Sequence, residues 1–145
     1  MRLIRALSLV AAVETFLVMV LAKIVGVTGA SKSIPTWPLA FGKLIPPMNR
    51  LVFLEWSHRL LALLVVVTMV ALVARAARLS GKLCLYCAAS LLLLIATAVA
   101  GGLAVLHGES VVIAAFGQTS AMLSFASLVG LSVWAQMVVK RPPDR

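Results

Sequence analysis

The chain reads as an all-α membrane protein, a four-transmembrane-helix bundle with both termini on the cytoplasmic side. Of its 145 residues, 63% are hydrophobic and 12% charged, whereas soluble domains run near half and near a quarter. Apolar runs at about 6–27, 51–74, 83–106 and 111–139 each reach the ~20 residues that a ~30 Å hydrocarbon core demands. The third observation is charge placement. Arg2, Arg5, Arg75, Arg78, Lys82, Lys140, Arg141 and Arg145 fall at the N terminus, the second connection and the C terminus, which four spans put on one side, and basic residues beside spans mark the cytoplasm. The net charge of +9 therefore fits a lipid bilayer as partner and no nucleic acid.

The first run follows Arg2 and Arg5 as a signal peptide would, but it is long, contains Glu14 and lacks a small-residue cleavage site, so it is expected to remain as a helix. A carboxyl within a span is expected to face a partner or a proton path rather than lipid. The outer loop, 28–50, holds Gly29, Pro35, Trp37, Pro38, Gly42, Pro46 and Pro47. Prolines stop helices and tryptophan suits the headgroup zone, so this segment is expected to form an ordered cap. Lys32, Lys43 and Arg50 within it dilute the charge bias without reversing it. Asn49 suits the N-cap of the second helix. Short second and third connections, near 75–82 and 107–110, imply antiparallel neighbours. Cys84 and Cys87, one helical turn apart, are too few for a zinc site and read as small packing residues.

Glu55, His58 and Arg59 carry the chemistry. Ionisable groups in a span are costly unless they face the bundle interior, pair or serve a site, and spacings of three and four place these on one side of the second helix. One reading is an interfacial Glu55–Arg59 ion pair beside a hydrogen-bonded histidine. The other is a heme site. An imidazole projecting into an apolar bundle holds heme iron, an arginine suits a propionate, and Glu55 acts as acid, base or charge stabiliser. His58 lies about 10 Å below the start of its span. Gln118 falls at a similar depth on the diagonal fourth helix. His107, the other histidine, ends the third helix and is either a heme contact or a solvated loop residue. Gly101 and Gly102 permit close approach of a helix or a flat macrocycle. Gln118, Thr119, Ser120, Ser124 and Ser127 form a strip suited either to a ligand or to interhelical hydrogen bonds.

The segments Thr28-Gly29, Pro35-Thr36-Trp37-Pro38-Leu39, Phe41-Gly42-Lys43-Leu44-Ile45-Pro46-Pro47 and Glu55-Trp56-Ser57-His58-Arg59, followed by Gly101-Gly102, together resemble the N-terminal half of heme A synthases, membrane enzymes of cytochrome oxidase assembly. Those proteins typically carry eight helices in two related halves. The resemblance implies oxidation of the C8 methyl of heme O to a formyl group through successive hydroxylations and a geminal diol. It makes His58 an axial ligand of heme, Glu55 the carboxylate of the methyl oxidation and Arg59 a positioning group. It implies heme O as substrate, heme B as a further cofactor, supply by a heme O synthase, a quinone-type electron acceptor, a homo-oligomer and residence in the cell membrane. Ile34 and Ala40 stand where the family commonly has loop cysteines, Gly26 where it has a first-helix arginine, and Phe116, Gly117 or Gln118 near its fourth-helix histidine. Two other functions fit the same residues: a b-type heme electron carrier and a non-catalytic heme-handling assembly factor.

Overall fold

A computed structural model describes residues 2–108 and 110–140, with no account of the side chains of 138–140. Four helices, α1 (Arg2–Thr28), α2 (Arg50–Ala77), α3 (Gly81–His107) and α4 (Val111–Lys140), make up almost all of it, and the described residues contain no β-strand. All four are long and apolar enough to cross a membrane. The helices extend one to five residues past their apolar runs, giving lengths of about 40–45 Å at ~1.5 Å per residue, so the ends overhang a hydrocarbon core.

Neighbours run α1, α2, α3, α4 and back to α1, leaving α2 and α4 on a diagonal. One end of the bundle, the basic end, gathers Arg2, Arg5, Arg75, Arg78 and Lys82. Arg141 and Arg145 lie outside the described residues. The opposite, loop end carries the long connection after α1 and the turn before α4.

The chain turns at the loop end through local chemistry. Gly29, at φ 72°, terminates α1 in the left-handed conformation that glycine adopts without penalty. A short 3-10 helix, Ala30–Lys32, follows. Phe41 and Gly42, both at positive φ, form a tight turn closed by Lys43 N–H donating to the Ala40 carbonyl at 2.9 Å. Asn49 caps α2, its Oδ1 accepting from the N–H groups of Leu51 and Val52 at 3.0 Å each.

Packing divides the bundle in two. The basic half is filled by Ile4 and Ala11 of α1, Met69 and Leu72 of α2, Cys87 of α3 and Leu128 of α4, all without accessible surface. Cys84 packs against this cluster, so both cysteines are free thiols at packing positions. The α3/α4 seam is joined by Ser90–Ser127 and Thr97–Ser120 hydroxyl pairs at 2.8 Å, and by Tyr86 Oη donating to the Ser127 carbonyl. Ser120 and Ser127 thus spend their polarity between helices, where lipid offers no alternative partner. The loop has a small core of its own in Ile34, Ala40 and Val52, with Trp56 against it. Between these two cores the bundle is hollow.

Candidate functional site

The hollow is a cavity of about 1020 Å³ beneath the loop, walled by α1, α2 and α3 and touched by α4 at Ala121. Small residues contribute to its walls, Ala22 and Gly26 from α1, Ala62 from α2, and Ala98, Gly101 and Gly102 from α3, beside larger ones such as Met19, Leu63 and Leu94. His58, Glu55 and Arg59 enter it together from α2. The three share a face because spacings of three and four return to the same side of a helix.

Glu55 is 5% exposed. Its Oε1 accepts from Arg59 Nε at 2.7 Å, and its Oε2 lies 4.0 Å from His58 Nδ1, too far for a hydrogen bond and wide enough for an atom of a bound molecule to lie near both. Arg59 also donates from Nη1 to the Thr36 carbonyl at 2.7 Å and from Nη2 to the Ile34 carbonyl at 3.1 Å. One guanidinium therefore fixes the carboxylate and ties the loop to α2, a task suited to its rigid fork of donors. Trp56 adds a second tie, Nε1 donating to the Leu44 carbonyl at 2.8 Å.

Trp37 forms part of the cavity wall and stacks on α3 at Gly102, where an added Cβ would stand 2.6 Å from ring atoms. Only a glycine lets the indole lie this close. Lys32 and Lys43 also border the cavity. Along the sequence they stand only as loop charges. Their convergence on the rim depends on the path of the loop, which spacing along the chain does not convey.

His107 is exposed at the end of α3, its Nδ1 3.3 Å from the Leu103 carbonyl, and does not line the cavity. Gln118 is exposed on α4, also away from the cavity. The diagonal position of α4 holds, but its rotation turns Ala121 inward. His58 is consequently the only histidine on the cavity.

Among the described residues no group of three or more His, Cys, Asp or Glu gathers to hold a bare metal ion. Heme iron arrives with four nitrogen donors, so one protein imidazole suffices on its side. The donor set, a lone half-buried imidazole in an apolar chamber with cations at its rim, fits heme. No family model, curated protein or solved structure matches the chain significantly.

Proposed function

We propose that this chain is a compact heme A synthase of the cell membrane, oxidising the C8 methyl of heme O to a formyl group in the cavity beneath the loop. The observation that carries the reading is the polarity of that cavity: apolar walls, the His58 imidazole among them, and Lys32, Lys43 and Arg59 toward the loop. Heme has the matching layout, an apolar macrocycle, an iron that takes an axial nitrogen and carboxylates along one edge. At about 1020 Å³ the space lies at the large end of small-molecule sites, roughly 300–1,000 Å³.

In this reading His58 holds the substrate by its iron and the lysines hold its carboxylates. Converting a methyl to a formyl group consumes one water and releases four electrons and four protons. A quinone is the proposed class of electron acceptor. Glu55 is the group that accepts protons as the methyl carbon is oxidised, and Arg59 keeps its carboxylate aimed. A carrier with two strong axial ligands is less well served, because His107 stands away from the cavity. The basic end lies in the cytoplasm and the loop outside, following the charge rule.

Co-expression with a heme O synthase, followed by heme extraction, tests the activity. Formyl-bearing heme is the expected product. Retention of unmodified heme O would instead make the chain a carrier or assembly factor.

The chain is further proposed to act as a homo-oligomer. Gln118 is exposed within the span, and an amide facing hydrocarbon gains by meeting its counterpart in a second copy. Crosslinking in native membranes tests this, and an active species that stays monomeric would end it.

A further inference from the structure

Glu14 sits about 18 Å along α1 from the basic end, twelve residues at ~1.5 Å each. Its Oε1 accepts a hydrogen bond from Thr68 Oγ1 of α2 at 3.3 Å. Its Oε2 is buried with no hydrogen-bond partner among the described residues. The residue lies just beneath the cavity: the next residue, Thr15, and the residue one turn on, Val18, line it, as does Val65, three residues before Thr68.

A second orphan belongs to the same seam. Arg75 Nε is also buried with no hydrogen-bond partner among the described residues. Arg75 follows Thr68 by seven residues, two helical turns, so it lies on nearly the same side of α2 and about 10 Å closer to the basic end. Helical side chains lean toward their own N terminus. Because α1 and α2 are antiparallel, Glu14 leans toward the basic end and Arg75 away from it, which brings an acceptor and a donor toward one gap. Two such groups suit a bridging water, which needs two to four polar partners. The other ionisable residues nearest this level are Arg5 and Lys23 on α1, nine residues to either side of Glu14, Arg78 on α2, and Cys84, Tyr86 and Cys87 on α3; α4 has none before Lys140.

We propose that Glu14 is a proton-transfer group linking the cavity to the basic end of the bundle, with Arg75 holding water at its far side. Its carboxylate takes a proton arriving from the cavity floor, becomes the neutral acid, and returns to carboxylate by releasing that proton to water beside Arg75. This rests on the heme-oxidising reading for the origin of the protons, which leave the substrate during methyl oxidation. The path explains why a carboxyl and a guanidinium are each left with an unanswered polar atom in a span where such atoms are costly.

The test uses full-length protein and has two readouts. In Glu14→Gln, bound heme should equal wild type while heme A formation slows about tenfold or more, and Glu14→Asp should recover part of the rate. Infrared difference spectra of the purified protein, recorded on a pH step without any turnover, should show a carboxyl band that responds in wild type, is missing in Glu14→Gln and responds more slowly in Arg75→Gln. A wild-type rate in Glu14→Gln would reduce Glu14 to a helix-joining acceptor for Thr68 and overturn the proposal. So would a Glu14 band that ignores the pH step. If wild type makes no heme A, the enzymatic reading fails by itself and the infrared response still decides whether protons reach Glu14.

Discussion

At the basic end Met69, Leu72 and Leu128 have no accessible surface, whereas in the loop half Ala62, Ala98, Gly101 and Gly102 surround an open chamber. The helices are continuous through both halves, and both are built from apolar residues. The difference lies in how tightly side chains meet across the helices. Interiors pack to nearly crystalline density when side chains interlock, and in the loop half these small residues leave a space that larger neighbours such as Met19, Leu63 and Leu94 line without filling. The loop then makes that space a site, because Arg59 and Trp56 bind its carbonyls to α2 and Trp37 reaches across to α3. One half is built for cohesion and the other for occupancy.

If that division is right, substitutions should separate the two properties. His58→Ala has the largest expected effect: near-complete loss of bound heme, since no other histidine reaches the cavity, with the helical bundle intact by circular dichroism. An unchanged heme content and spectrum would rule out His58 as the main ligand. Glu55→Gln comes next. The amide preserves size and can still meet Arg59, so heme should stay bound while conversion to heme A falls by a factor of about 10² or more, the usual scale of acid–base assistance. A normal yield would leave Glu55 as a structural partner of Arg59.

The opposite half should respond the opposite way. Leu128→Ala removes a side chain with no accessible surface from the basic-half core, and should lower stability by about 2 kcal/mol, the low end for such truncations, because lipid rather than water is the alternative surrounding. Thermal unfolding in detergent measures it. Heme affinity should not move, and a parallel loss of heme would show that the two halves are one cooperative unit.

Much of this organisation is legible in the chain itself. Four spans follow from run length, and the common face of Glu55, His58 and Arg59 follows from helical spacing. Asn49 and Gly29 mark helix ends by their own conformational chemistry. What spacing does not convey is rotation and long-range contact. Depth counting brings Gln118 level with His58, but the packing of α4 on α3 and α1 turns Ala121 to the cavity instead. Glycines at 101 and 102 look alike in sequence, and only the fold shows which of them meets an indole. The same holds for Arg59, whose bonds to Ile34 and Thr36 span more than twenty residues of chain.

That pair of glycines offers the finest test of how the chamber is closed. At Gly102 a Cβ would come within 2.6 Å of the Trp37 ring, while at Gly101 nothing lies within 4 Å. Gly102→Ala should therefore push the indole off α3 and cost about 1 kcal/mol, the low end for overpacking, because Trp37 sits on a loop that can yield. Trp37 fluorescence cannot be read alone beside Trp56 and Trp134, so its emission is taken as the difference between each variant and the same variant carrying Trp37→Phe, which leaves the Trp56 tie in place. Gly101→Ala adds the same methyl to the same helix without a collision, and alanine is the better helix former. It should leave the Trp37 emission unchanged and stability equal or slightly higher. Equal shifts from both substitutions would mean that Trp37 does not rest on Gly102, and that the loop closes the chamber through Arg59 and Trp56 alone.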